Sequence, residues 1–252
     1  MGFTMKNTLC AALLLAGTLA AAGEHGEHHA HWGYTGHEGP ESWGTLSPDY
    51  HTCGVGMNQS PIDITSSVDA NLPAIGFRYY SASSEILNNG HTVQVNVKEG
   101  SSIFIDGVSY ELKQYHFHTP SENHIHGMEF PLEVHFVHAD KDGNLAVVAV
   151  MFEEGAANPQ LAQLWADMPM HAGDHHALNG EVKDLNALLP KEREYYRFNG
   201  SLTTPPCTEG VKWMVLKSPL TISKGQVETF AHAVHGHNNR PVQGLHARVI
   251  VR

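Results

Sequence analysis

Strand signals outnumber helix signals along this chain, and the helices are short, which predicts a single α+β domain. Three observations carry that reading. Thr92-Val-Gln-Val-Asn-Val97 alternates apolar and polar residues with a period of two, the pattern of a strand with one buried face. Asp106-Gly107 lies between Ile103-Phe-Ile105 and Val108-Ser-Tyr110, a hairpin turn with a strand on either side. Residues 145–152 are apolar without a break and follow the Asp142-Gly143 turn, which predicts a central strand covered on both faces. A first helix follows. Asn158 caps it, Pro159 takes its first position, Leu161, Leu164, Trp165 and Met168 form its buried face, and Pro169 stops it. A second has the Ser223/Gln226 capping box, carries Val227, Phe230 and Val234, and ends near Gly236. No repeat and no long linker divides the chain.

With 252 residues the chain is long enough for one large domain with a substantial core, and a hydrophobic content of 41% argues against global disorder. A net charge of −11 makes nucleic acid an unsuitable partner. The N-terminus reads as a secretory signal: Lys6 precedes an apolar run from Leu9 that closes on Ala20-Ala21-Ala22. At about 14 residues this run is shorter than the ~20 needed to span a bilayer. The expected division is a signal over 1–22, a histidine-rich arm over 23–30 and one domain over 31–252. The mature protein is then periplasmic or secreted, with no membrane segment once the signal is removed. Cys10 lies inside the signal, which leaves Cys53 and Cys207. In an exported chain two cysteines favour one disulfide over the alternative of two buried thiols.

The densest chemistry is in Gln114-Tyr-His-Phe-His-Thr-Pro-Ser-Glu-Asn123 and Glu133-Val-His-Phe-Val-His138. Residues two apart on a strand share a face. Gln114, His116 and His118 therefore share one face, and Glu133, His135 and Val137 share another. If the two strands are neighbours, three imidazoles converge. Three nitrogen ligands with an open fourth position suit a catalytic zinc ion rather than a structural one. Gln114 and Glu133, each two residues before a ligand, are placed to hold the far ring nitrogens. The alternative is an accidental His-x-His in a histidine-rich chain, which has 20 histidines against 15 lysines and arginines.

The order of motifs resembles the α-class carbonic anhydrases, especially secreted bacterial members. The resemblance runs from about His31 to the C-terminus. It rests on His31-Trp-Gly-Tyr34, Gly39-Pro-Glu-Ser-Trp43, Asn58-Gln-Ser-Pro-Ile-Asp-Ile64, Asn88-Asn-Gly-His91, the two histidine runs, Gly200-Ser-Leu-Thr-Thr-Pro-Pro206, Trp213 and Asn238-Asn-Arg-Pro-Val-Gln243. It implies a large twisted, mostly antiparallel sheet with short peripheral helices and a metal at the base of a cone-shaped cleft. It also implies zinc-dependent, reversible hydration of carbon dioxide to bicarbonate and a proton, by attack of a zinc-bound hydroxide. Zinc acidifies its bound water enough for this at neutral pH, a behaviour for which carbonic anhydrase is itself the standard example.

The resemblance also distributes roles. His116, His118 and His135 are the zinc ligands, supported by Gln114, Glu133 and Asn238. Glu122, acceptor-only when ionised, takes the Thr203 hydroxyl proton, so that Thr203 accepts from the zinc-bound oxygen and turns its lone pair toward substrate. Val137, Val147, Leu202, Thr204, Val211 and Trp213 line the substrate pocket. His91 is the proton shuttle, suited to it by an imidazole pKa near neutrality, and Tyr34, Asn89 and Gln94 order the path. Secreted members join the positions of Cys53 and Cys207. Sulfonamides and anions are the expected inhibitors, and a homodimer is compatible.

The remaining histidines are given lesser parts. His25, His28, His29 and His31 make a solvated arm with incidental metal affinity. His138 points away from His135 by strand parity and is structural. His171, His175 and His176 in a polar loop, and His232, His235 and His237 on or after a helix, are surface residues.

Overall fold

The structure, a computed structural model, describes residues 30–80, 82–178 and 184–252. The signal and all of the arm but Ala30 lie outside the described residues. In chain order the strands are β1 (Asp63–Ile64), β2 (Gly76–Arg78), β3 (Ser83–Asn88), β4 (Val93–Val97), β5 (Ser102–Ile105), β6 (Val108–His118) and β7 (His124–Ile125). There follow β8 (Leu132–Ala139), β9 (Leu145–Glu154), β10 (His175–Ala177), β11 (Tyr195–Ser201), β12 (Glu209–Leu216) and β13 (Leu220–Ile222). The helices are α1 (Trp43–Leu46), α2 (Thr52–Val55), α3 (Pro159–Ala166) and α4 (Lys224–Ala233), with short 3-10 turns between elements.

Eleven strands form one sheet in the order β10-β3-β4-β6-β8-β9-β12-β11, with β5 on β6, β2 on β5 and β13 beside β9. Neighbours run antiparallel except where β12 and β13 meet β9, so the sheet is mixed but mostly antiparallel, as expected. Asp106 and Gly107 both have positive φ, 52° and 80°, in the turn between β5 and β6. That is the conformation Asp-Gly hairpins favour, because its twist matches the flanking strands.

Alternation sorts side chains to the two faces. Val134 and Phe136 of β8 and Tyr115 and Phe117 of β6 are fully buried on the face covered by Leu161 and Leu164 of α3 and Phe230 of α4. The continuous run in β9 is divided between both sides, as a central strand requires. Val148, Val150 and Phe152 join that core, while Val147, Ala149 and Met151 pack opposite with Trp213, Val215 and Phe198.

A register shift between Leu112 and Gln114 in the β6–β8 pairing changes the parity of β6 partway along. Tyr110 and Leu112 lie in the helix-side core, yet so do Tyr115 and Phe117. The extra residue at Lys113 makes this possible, and it puts Gln114, His116 and His118 on the opposite face.

The caps form as their sequences predict. Asn158 Oδ1 accepts from the backbone N–H of Gln160 and Leu161 at 3.0 and 3.1 Å, and Ser223 and Gln226 form a full capping box. Gln226 also ties the helices together: its Nε2 donates to Asn158 O at 2.7 Å, and its own carbonyl accepts from Trp165 Nε1 at 2.9 Å. Some boundaries differ from expectation. α3 ends at Ala166 rather than running to Pro169, with Met168 buried in the turn beyond it. α4 ends at Ala233, and Val234 is its C-cap. His175 and His176 are not in a loop; they form strand β10 by pairing with Leu87 and Ile86 of β3. Both are exposed, as predicted.

Cys53 and Cys207 form the expected disulfide across a separation of 154 residues. It lies in a small cluster with Trp43 and Tyr50.

Candidate active site: a histidine triad at the foot of a two-sided cleft

β6 and β8 are neighbours, and the register sets His116 directly opposite His135 and His118 opposite Glu133. The three rings therefore meet. One ligating atom from each of His116, His118 and His135 lies within 4.8 Å of the others. The far nitrogen of each ring is held. His116 Nδ1 meets Gln114 Oε1 at 2.8 Å, His118 Nδ1 meets the Asn238 carbonyl at 2.7 Å, and His135 Nε2 lies 3.0 Å from Glu133 Oε1. That leaves Nε2 of His116 and His118 and Nδ1 of His135 free to point at one centre. His118 Nε2 is buried with no hydrogen-bond partner. Burial first, then the neighbouring His118 and His135, holds His116 well below the ordinary imidazole range, and burial lowers His118 as well. Lowered pKa values at His116 and His118, and a buried His118 Nε2 with no partner, fit a divalent cation.

The supports are braced in turn. Glu133 is fully buried. Its Oε2 accepts from the backbone N–H of Glu122 and Asn123 at 2.7 and 2.9 Å, and its Oε1 accepts from Asn123 Nδ2 at 2.8 Å. Burial pushes Glu133 up, but His135 and the Asn123 donors outweigh it, so its pKa is lowered and it stays a carboxylate. Asn238 is buried and holds two strand ends with one side chain, accepting from Thr119 N at 2.8 Å and donating to Phe117 O at 2.9 Å and His91 O at 3.0 Å.

Glu122 and Thr203 are buried beside the triad. Glu122 Oε2 is 3.5 Å from His118 Nε2, and Oε1 accepts from the Arg240 backbone N–H at 2.9 Å. Burial pushes Glu122 up to about 7, against the pull of His135, the Arg240 N–H and the Thr203 hydroxyl. A cation at the triad acts in the same direction as those three.

A polar cavity and an apolar cluster lie near the triad. His91, Tyr34, Asn89, Gln94 and Thr204 line a cavity of about 130 Å³ together with Gln114, His116 and His118. Val137, Val147, Leu202, Val211 and Trp213 fall in the other cluster, on the triad side of β8, β9 and β12. The Trp213 ring is 4.9 Å from that of His135, and its Nε1 donates to Ser201 O at 3.0 Å. The structure thus groups the polar candidates Tyr34, Asn89, His91, Gln94 and Thr204 with His116 and His118 around one cavity, and the apolar candidates in the cluster that contains Trp213.

Residues without an assigned role also contribute. Trp32 stacks face to face on His91, with centroids 3.7 Å apart. Arg240 is buried: Nη1 donates to Gln59 Oε1 and Ser60 O at 2.8 Å, and Nη2 donates to Cys53 O at 2.9 Å. Its motif marks the position as special, but nothing local distinguishes a buried arginine from a surface one. His138 is buried at the back of β8 between Tyr79 Oη (2.8 Å) and Ala146 O (3.2 Å), and burial lowers its pKa to about 3. It is structural, as parity predicts.

The eukaryotic-type carbonic anhydrase family model matches residues 38–252. The chain belongs to this α-class family. A carbonic anhydrase of Neisseria gonorrhoeae is 52% identical over 244 residues, 96% of each chain. The α-carbonic anhydrase of Thermovibrio ammonificans, solved with the inhibitor sulfanilamide, superposes with a TM-score of 0.87 at 47% identity, covering 89% of this chain and all of that one. Dioscorin DB3S of Dioscorea polystachya is 36% identical over 253 residues, 97% of this chain and 94% of that protein. Membership makes the chain a metal-dependent enzyme of carbon dioxide hydration, with the histidine triad positioned for the metal.

Proposed function

We propose that this α-carbonic anhydrase interconverts carbon dioxide and bicarbonate using zinc held by His116, His118 and His135. The observation that carries the proposal is three imidazoles, two buried and one partly buried, each anchored through one nitrogen, whose remaining nitrogens share one centre. Zinc bound there supplies Lewis acidity, which makes a water nucleophilic at neutral pH. Glu122 as carboxylate can only accept, so it takes the Thr203 hydroxyl proton and leaves Thr203 an acceptor facing the cleft. That fixes which way a nucleophile's proton points. The wall of Val137, Val147, Leu202, Val211 and Trp213 offers carbon dioxide an apolar seat and gives water no partner to compete for. His91 accepts the product proton at the cleft mouth and passes it to buffer. Its pKa lies below the ordinary imidazole value because it is half-buried and His31 is nearby, so it is a neutral acceptor at pH 7. Sulfonamides are expected to bind at the triad, in line with the sulfanilamide complex of the Thermovibrio enzyme. The disulfide supports an exported, periplasmic or secreted location, because such bonds persist in oxidising compartments.

Stopped-flow carbon dioxide hydration with and without a zinc chelator tests this reading. Activity should disappear on chelation and return with zinc. His118→Ala, lacking one of three ligands, should lose zinc affinity by about 10²-fold or more. A variant that retains one tightly held zinc and full activity would refute the ligand assignment. Zinc bound without hydration would make the chain a binding relative instead.

A further inference from the structure

Two amides, Asn89 and Gln94, line the cavity beside His91. An amide has an accepting end and a donating end, and both residues have one end committed. Asn89 Oδ1 accepts from the backbone N–H of His91 and of Thr92, each at 2.9 Å, which leaves its Nδ2 for the cleft. Gln94 is committed the other way. Its Nε2 donates to Asn96 Oδ1 at 2.8 Å, which leaves its Oε1. Asn96 Nδ2 donates in turn to Glu85 Oε2 at 3.0 Å, and Glu85 Oε1 meets His175 Nδ1 at 2.8 Å on the edge strand. The register keeps this row on the triad face. Gln94 is opposite His116, Asn96 is opposite both Gln114 and Glu85, and His175 pairs with Leu87 beside them.

Glu85 is the one member of the row with no choice of orientation, since a carboxylate can only accept. It turns Asn96 so that Nδ2 faces it; Asn96 then presents Oδ1 to Gln94, and Gln94 presents Oε1 to the cleft. We infer that Glu85, outside the cleft, is a positioning residue that sets the hydrogen-bond polarity of Gln94 and so the direction of the waters that carry a proton to His91. A water between the two amides accepts from Asn89 and donates to Gln94, which orients its O–H bonds along the wall. With Gln94 reversed, both amides would donate, and a water there would have no acceptor on that wall. The inference rests on the reading of His91 as proton relay.

Charge-inverting variants test it. Glu85→Lys replaces an obligate acceptor with an obligate donor and should reverse the amides of Asn96 and Gln94. In dilute buffer kcat should fall by about fivefold, the scale of one misdirected hydrogen bond, with kcat/KM unchanged. Adding Asn96→Asp should restore kcat, because Asp accepts from Lys at 85 and from Gln94 Nε2 at once. Glu85→Gln carries the same net charge as that double variant and controls for charge alone. A readout independent of activity is solvent exchange of the Gln94 side-chain amide protons, followed by NMR in the zinc-free protein. They should be protected in the wild type and in the double variant, and unprotected in Glu85→Lys.

The inference is overturned if the wild-type Gln94 amide exchanges at the free rate, if Glu85→Lys leaves dilute-buffer kcat unchanged or lowers kcat/KM equally, or if the double variant stays impaired. Failure of the underlying reading looks different. His91→Ala would then show no buffer-dependent defect, while the amide exchange would still decide the polarity of the row.

Discussion

Glu122 and Thr203 show how two ordinary residues become a device through position. Separately, each is an acid or a hydroxyl on a loop. Together they are buried beside the triad, where burial pushes Glu122 up to about 7 and the Thr203 hydroxyl and Arg240 N–H pull it back. Thr203→Ala and Glu122→Ala should each lower kcat/KM on the order of 10²-fold, the scale of one preorganised hydrogen-bond partner, with zinc retained. Because they act as one unit, the double variant should cost much less than the sum, and strict additivity in the cycle would show that no relay exists. His91 separates the chemical step from proton export. In His91→Ala, kcat/KM should hold, while kcat in dilute buffer falls by about tenfold or more, and added imidazole should restore it. Wild-type turnover of that variant in dilute buffer would send the proton by another route.

Among the elements, the β5–β6 hairpin is clipped to the far strands by charge. Arg197 of β11 donates to both Asp106 carboxylate oxygens, at 3.0 and 2.5 Å, and Lys212 of β12 donates at 3.0 Å. The Arg197 hydrogen bond, opposed by partial burial and helped by Lys212, holds Asp106 below the usual carboxylate range. A depressed folded-state pKa stabilises the fold fully above the unfolded-state value, near 4 for aspartate (~3.9). The contribution is lost as pH falls through the folded-state value. Asp106→Asn, whose residue type also tolerates the positive φ of 52°, should cost on the order of 1 kcal/mol at pH 7. The gap to wild type should close as the pH is taken below the carboxylate range. Urea melts across that range measure it; a gap independent of pH would mean the contribution is packing rather than charge.

For the molecule as a whole, the disulfide is the longest-range covalent constraint. Cross-linking residues 154 apart removes loop entropy from the unfolded chain, a stabilisation of at most about 5 kcal/mol on the chain-entropy account. Cys207 N donates to Thr204 O at 2.8 Å, which ties the bridge to the loop bearing Thr203 and Thr204. The Cys53→Ser/Cys207→Ser pair should therefore lower both Tm and kcat/KM. A variant with a lower Tm but unchanged kinetics would show that the bridge stabilises the fold without bracing the site.

The sequence by itself determined strands β4, β5 and β9, the Asp106-Gly107 turn, both helix caps, the shared face of Gln114, His116 and His118, and the orientation of His138 away from the triad. All of these follow from periodicity or from contacts a few residues apart. The resemblance to the family named the relay residues, which spacing alone could not assign, and agreed with the disulfide that cysteine count and compartment favoured. Tertiary structure decided the rest. The triad closes because β6 and β8 are in the register that sets His116 against His135, and because the shift near Lys113 lets one strand feed the core with Leu112 and then with Tyr115. Strict alternation from Leu112 would have put Gln114 in the core. The stacking of Trp32 on His91, the burial of Arg240 and the row from Glu85 to Gln94 each join residues on separate elements. No local pattern encodes such contacts, since an arginine or glutamate bound for the interior is spelled like one bound for the surface. Their roles appear only when the folded chain removes water and leaves each polar atom to the partners that remain.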